Sequence, residues 1–340
     1  MQNIDALVCS EPGKLQLVQR PGPQPDPAHI LVRPRRVGIC GTDYHIYQGK
    51  HPFLQYPRVM GHELAVEVIA APDGAGFPAG EICVVNPYLS CGACIACRAG
   101  KPNCCMAISV LGVHQDGGLA GLLSVPVGNV LHAEGLNADA CASVEFLSIG
   151  AHAVRRAAIT DSDNVLVVGA GPIGLGVALF ARLAGAKVAV LDREPERAAL
   201  AQSIAGAAVL QAEGDPLPAV TAFTGGDGFD VVFDATGNRA AMEKGFEFVA
   251  HGGRYVLVSV IKETITFMDP DFHRREMTLL GSRNATNDDF RRVIAAIRAG
   301  QVPIDRLVTH RTTLAAAADN IPVWATQKSG LIKALVEIGD

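Results

Sequence analysis

The sequence predicts an α/β chain in which a helix-covered parallel sheet is joined to a β-rich unit. Three observations carry this reading. Beyond about residue 160, short wholly apolar runs alternate with longer helical stretches. Strands apolar on both faces and linked by helices build parallel sheets buried between helices. The first 150 residues hold short strand-like runs punctuated by Gly and Pro, the pattern of a partly closed β domain. The length of 340 residues exceeds what one core usually supports, so two domains are expected.

The elements follow in order. Runs 30–32, 64–69 and 81–85 read as strands, the last closed by Asn86-Pro87. The pattern changes near Ser148, and 149–158 has helical spacing. Then come strand 165–168, helix 173–184, strand 188–191 and helix 194–205, with 231–233 and 255–258 continuing the strands. A helix near 288–299 is expected to close this domain. Runs 307–309 and 332–336 are positioned to return to the first.

Composition excludes several classes. The chain is 49% hydrophobic and 19% charged with a net charge of -5, unlike a strongly basic nucleic-acid binder. The apolar stretch 165–181 carries Gly169, Gly171, Pro172, Gly174 and Gly176, so it reads as strand, turn and helix. A membrane span would need about 20 apolar residues. The start of the sequence lacks a basic segment followed by a long apolar run. A cytoplasmic protein without nucleic-acid or membrane partners is expected. Nine cysteines in such a chain point to metal or catalysis before disulfides. Cys9, Cys83 and Cys141 stand in apolar strings and read as inert buried thiols.

Strand 165–168 runs straight into Gly169-Ala170-Gly171-Pro172-Ile173-Gly174, a G-x-G-x-x-G in strand–turn–helix context. Gly169 permits the turn, Gly171 lets the backbone approach a pyrophosphate, and Gly174 lets helix and strand pack closely. Pro172 and Ile173 start a helix whose N-terminus faces the phosphates with free N–H groups. Asp192 follows 18 residues after Gly174. Its carboxylate accepts from ribose hydroxyls and repels a 2'-phosphate, which favours NAD over NADP. Arg193 and Arg197 are able to bind that phosphate instead. Val258, at the end of a later strand, is placed in the same cofactor set.

Cys91, Cys94, Cys97 and Cys105 form C-x2-C-x2-C-x7-C, suited to one tetrahedral zinc. An iron–sulfur cluster competes, and Cys104 leaves the fourth ligand uncertain by one residue. A second, dispersed set comprises Cys40 and His62 with Glu63 or Glu145 as carboxylate. Cys, His and one carboxylate hold a catalytic zinc while leaving a position open.

At these residues the chain resembles the medium-chain, zinc-containing alcohol and polyol dehydrogenase family, over essentially its whole length. Gly61-His62-Glu63 after Cys40-Gly41-Thr42-Asp43 resembles the family's catalytic zinc motif, and the four-cysteine lobe its structural zinc loop. The resemblance implies two zinc ions, NAD, and a chaperonin-10-like (GroES-like) catalytic domain, 1–150 with 297–340, with a Rossmann domain, 151–296, between its parts. It selects Cys105 over Cys104. It makes Glu145 the third catalytic-zinc ligand, as in the polyol branch, although Phe146 replaces the usual proline. Glu63 is left as an alternate ligand, Thr42 and His45 as a proton relay. Homodimers or homotetramers are expected. Loop 112–118, segment 269–273 and loop 281–286 resemble the branch that oxidises L-galactonate or L-gulonate at carbon 5. His114, Asp116, Arg283 and Asn284 are the expected substrate contacts, Arg283 forking a carboxylate. Neutral polyols and L-threonine are the alternative substrates, and a non-enzymatic NAD-binding zinc protein the remote one.

Overall fold

The computed structural model describes residues 3–51, 54–210, 214–327 and 330–339. It divides into two compact units, Met1–Phe146 with Ala285–Asp340, and Leu147–Asn284. The chain passes from the first to the second inside one helix, Val144–Arg156.

The first unit is built on a seven-stranded sheet. Its path runs Val130–His132, Ile82–Val85, Glu63–Ala70, His29–Ile39, Lys333–Glu337 and Val308–Thr313, with Leu123–Pro126 paired beside His29–Ile39. The returning strand Lys333–Glu337 is antiparallel to His29–Ile39, Ala334 opposite Ile39. The N-terminal hairpin, Asn3–Glu11 with Lys14–Pro21, adds a three-stranded sheet with Arg58–Val59. Helix Leu314–Thr326 is capped by the Thr313 side chain, which accepts from Ala316 N–H.

The helix expected to close the other domain is Asn287–Arg298, and it belongs to this first unit. Phe290 meets the Tyr88 ring edge-on, centroids 6.5 Å apart. Asn287 takes a hydrogen bond from the Asn86 amide at 2.7 Å. These contacts decide where residues 285–296 pack. Helical periodicity alone carries no such partner information.

The second unit is one parallel sheet of six strands. Its order is Ala208–Leu210, Lys187–Leu191, Asn164–Val168, Phe229–Asp234, Val249–Leu257 and Thr278–Gly281. Numbered within the unit, that order is 3-2-1-4-5-6, the doubly wound dinucleotide fold. The reversal lies beside Asn164–Val168, where a ligand crevice is expected in such sheets. The core holds Leu166, Phe229, Val232 and Tyr255, all fully buried.

Helices Val144–Arg156 and Pro172–Leu183 touch within this unit at Gly150 and Gly176. A Cβ on Gly150 would lie 2.5 Å from the Gly176 carbonyl carbon. Backbone atoms cannot swing aside as a flexible side chain can. Gly150→Ala is therefore expected to destabilise the unit by about 1–3 kcal/mol. Chemical denaturation followed by circular dichroism checks this, and an unchanged midpoint refutes it.

Candidate active site

In the second unit the three glycines differ physically. Gly169 has φ of +92° and turns the chain out of its strand. A Cβ on Gly174 would lie 1.8 Å from Gly169 O, so helix and strand could not pack. Gly171 has an ordinary φ of -68°, and its Cβ would meet nothing within 4 Å. The protein's own packing does not require glycine there. The open space beside the helix N-terminus leaves room for a phosphate group to approach the backbone.

Asp192 stands beside this turn. Its carboxylate accepts from Ala170 N–H and from Glu194 N–H at 2.5 and 2.8 Å, which fixes its orientation. A cleft of about 690 Å³ opens along Gly169, Gly171, Asp192, Arg193, Arg197 and Thr236. Both arginines thus line the cleft, as does Asn238, which caps the helix Arg239–Gly245. Pro172, Ile173 and Val258 lie outside its lining. The first two begin the helix, and Val258 N–H donates to Asp234 O. The sequence reading missed Thr236 and Asp234. Asp234 is fully buried and accepts from Thr236 and Ser259, tying the ends of two strands beside the cleft.

In the first unit, Cys40 ends strand His29–Ile39 and caps helix Gly41–Tyr47. Thr42 N–H points at its sulfur, while Cys40 N–H donates to Asp43 Oδ2 at 2.9 Å. Asp43 is fully buried, accepts from Gly61 N–H and lies 3.9 Å from His62 Nδ1. Donor atoms of Cys40, His62 and Glu63 lie within 4.8 Å of one another. His62 Nδ1 is buried without a hydrogen bond. A sulfur, an imidazole and the Glu63 carboxylate converging on one place, with an unsatisfied buried nitrogen, fit a zinc ion; Glu145 is not part of that compact group.

The two carboxylates are held differently. Both Glu63 oxygens accept from Lys333 Nζ, at 2.6 and 2.7 Å, and Lys333 is itself buried. Gly38 makes the space: a Cβ there would lie 1.9 Å from Glu63 Oε2. Glu145, at the start of its helix, accepts a hydrogen bond from the Tyr88 hydroxyl. Burial pushes the Glu145 carboxyl up to about 7, with His62, Tyr88 and Lys333 opposing that rise. A carboxylate in that setting favours a nearby cation. Neither Tyr88 nor Lys333 stood out in the sequence, because each stands far along the chain from its partner.

The remaining expected residues separate. Cys91, Cys94, Cys97 and Cys105 converge with donor atoms within 4.8 Å of one another, while exposed Cys104 stays outside. His45 is exposed and Thr42 half-buried. His51, not singled out in the sequence, has its charged form disfavoured by burial and then by His114, His45 and His62. His114 Nδ1 accepts from Val110 N–H, within its own turn. Asp116 corrects an expectation. Its oxygens take Arg20, Arg58 and Val59 N–H, so its lone pairs serve a clamp rather than a substrate. Loop 112–118 instead backs the metal cluster: a Cβ on Gly117 would lie 2.2 Å from Gly61 O. Arg283 and Asn284 end the second unit outside the dinucleotide cleft, Asn284 with φ of +54°.

Family models describe residues 26–135 as an alcohol dehydrogenase GroES-like domain and 172–299 as a zinc-binding dehydrogenase. The chain belongs to the zinc-binding alcohol dehydrogenase family. It is 41% identical to L-galactonate-5-dehydrogenase of Escherichia coli K12, covering 99% of both chains. It is 33% identical to D-altritol 5-dehydrogenase of Agrobacterium fabrum, covering 92% of this chain and 93% of the other. A solved alcohol dehydrogenase of E. coli CFT073, complexed with NADH, superposes with a TM-score of 0.92. It shares 30% identity and covers 98% of this chain and 99% of its own. This dehydrogenase therefore combines a GroES-like unit with a Rossmann-type unit.

Two variants test the site. Gly171→Ala is expected to fold with unchanged stability without nucleotide, since its Cβ meets open space. It should bind NADH at least about tenfold more weakly, or about 1.4 kcal/mol. Calorimetric titration reads this, and unchanged affinity would place the phosphates elsewhere. Tyr88→Phe removes the hydroxyl that orients Glu145, and such outer partners are worth about 10–100-fold in metal affinity. Chelator competition should show that loss at one metal site, with the four-thiolate lobe unaffected.

Proposed function

We propose that this dehydrogenase oxidises the carbon-5 hydroxyl of a six-carbon sugar acid, L-galactonate or L-gulonate, with NAD. The 41% identity to L-galactonate-5-dehydrogenase, end to end over both chains, carries the reading. Arg283 is exposed and supplies a fork for the substrate carboxylate, with Asn284 as a partner for hydroxyls.

Zinc supplies a Lewis acid that lowers the pKa of the alcohol, and NAD supplies the hydride acceptor. Cys40, His62 and Glu145 are the residues assigned to hold the catalytic metal. Glu63 is kept for Lys333: withdrawing it would strand a buried cation, at a cost of about 3–5 kcal/mol. Among the described residues the hydrogen bond to Glu145 comes from a neutral hydroxyl, which leaves further lone pairs for a cation. Asp43 and the helix cap fix Cys40 beside His62. The proton released from the alcohol leaves by Thr42, half-buried, and then His45, exposed. His51 lies near enough to His45 to share that work. Cys91, Cys94, Cys97 and Cys105 hold a second, structural zinc.

Asp192 supports NAD over NADP, because its fixed carboxylate occupies the rim where a 2'-phosphate would sit. Pro172, Ile173 and Val258 are assigned to the nucleotide-binding surroundings with Gly169, Gly171 and Gly174. A homo-oligomer, dimer or tetramer, is part of the proposal, as closed symmetric assemblies are common. Edge strand Thr278–Gly281 exposes Leu279, a feature suited to pairing. No helix among the described residues is long and apolar enough to cross a membrane. The nine cysteines, none in a disulfide, support a cytoplasmic setting.

The altritol-oxidising relative favours a second reading, a neutral hexitol as substrate. A screen of NAD and NADP reduction over L-galactonate, L-gulonate, altritol, sorbitol, galactitol, xylitol and L-threonine separates the two. The acids should give the highest kcat/KM, and NAD should exceed NADP. A neutral polyol matching the acids would overturn the acid assignment, and better turnover with NADP would overturn the cofactor assignment.

A further inference from the structure

Three donor groups meet at the edge of the seven-stranded sheet, apart from the two clusters already described. Strand Val130–His132 forms that edge and lies antiparallel to Ile82–Val85, with His132 directly opposite Cys83. Residues opposed in this way present their side chains on one face. Glu81 stands two residues before Cys83 and shares that face by strand alternation. Its Oε1 lies 2.7 Å from His132 Nδ1. The Phe77 ring stacks on the imidazole, centroids 4.3 Å apart and planes 14° from parallel, which holds the ring in place. Donor atoms of Glu81, Cys83 and His132 all lie within 4.8 Å of one another. The Cys40 group and the four-cysteine lobe fall within the same 4.8 Å limit.

We propose that Glu81, Cys83 and His132 form a third metal site that takes one zinc-class divalent cation. The donor chemistry selects the ion. A thiolate, an imidazole and a carboxylate suit zinc, whereas magnesium and calcium require oxygen ligands. Charge selects it too, since a dication is balanced by one thiolate and one carboxylate. On binding, the Cys83 S–H bond breaks, the sulfur bonds to the ion, and the proton passes to solvent. Cys83 is fully buried and His132 is 51% exposed, so the ion enters beside the imidazole. Water completes the coordination on that side. The thiol that reads from sequence as an inert core residue thus becomes the anchor of a surface site at the sheet edge.

The test uses the intact enzyme with its resident zinc, passed through a desalting column and titrated with Co2+. One further equivalent per chain is expected to bind, with thiolate-to-cobalt charge-transfer absorption, while zinc in the same sample stays constant. Cys83→Ala and His132→Ala should each remove that equivalent and its absorption and leave the resident zinc unchanged. His132 is half exposed, so its variant keeps the test decisive if Cys83→Ala fails to fold. No additional equivalent overturns the site, as does one that persists in His132→Ala. Binding without the charge-transfer band signifies an adventitious ion only and overturns it as well. None of these readouts depends on turnover, so the substrate assignment and this site stand or fall separately.

Discussion

The first unit is organised around the buried ion pair between Lys333 and Glu63. Lys333 lies on the returning C-terminal strand, and Glu63 follows His62 at the start of strand Glu63–Ala70. Lys333 Nζ reaches both Glu63 oxygens and Ile39 O, and it sits 4.3 Å from the centre of the Phe146 ring. Four distant stretches of sequence thereby converge next to Cys40. A buried ion pair is weak support for stability, because desolvation offsets much of the attraction. Its value here is positional. The pair fixes the carboxylate beside His62 and couples the last strand to the metal cluster.

Close backbone approach is the second constraint, and glycine supplies it in both units. Gly38 leaves room for the Glu63 carboxylate, and Gly117 lets loop 112–118 press against Gly61. Gly61 itself has φ of +95°, a conformation that presents His62 from a turn. In the second unit Gly174 lets a helix begin against its own strand, and Gly150 lets two helices touch. Gly171 stands apart, because nothing in the protein occupies the space its Cβ would fill. That space lies at the start of a helix and is open to an approaching ligand.

Features that depend on local pattern were legible in the sequence. The strand–turn–helix around Gly169 to Gly174 is a short-range signal, and the parallel sheet follows from apolar strands at regular spacing. The thiolate spacing was equally plain, though only the convergence of the Cys105 sulfur with the other three, leaving exposed Cys104 outside, decides the fourth sulfur geometrically. Long-range pairing was not legible. Tyr88 is 57 positions from Glu145, and Lys333 is 270 from Glu63. No periodicity announces such partners. The same gap explains Asp116, whose acidic side chain in a Gly-rich loop suggested substrate contact. Its partner Arg20 comes from the N-terminal hairpin, an element the sequence reading did not assign. Helix Asn287–Arg298 was recognised as a helix, but its packing against Tyr88 lay beyond its own periodicity.

The charge of the metal cluster explains why its carboxylates are treated unequally. Cys40, Asp43, Glu63 and Glu145 crowd the neighbourhood of His62, and Lys333 is the lysine that meets them. Lys333 neutralises one anion and leaves the cluster rich in negative charge. Burying such an excess is costly without a further cation. Asp43 is satisfied by backbone N–H groups at the helix cap and at Gly61. Cys40 and Glu145 have weaker ties, a 3.5 Å contact from Thr42 N–H and one hydroxyl. Donor atoms of Cys40, His62 and Glu63 lie within 4.8 Å of one another, so Glu63 stays beside the imidazole even while it is paired with Lys333. Glu63 and Asp43 are thus the strongly paired acids of the cluster, and Cys40 and Glu145 the weakly paired ones.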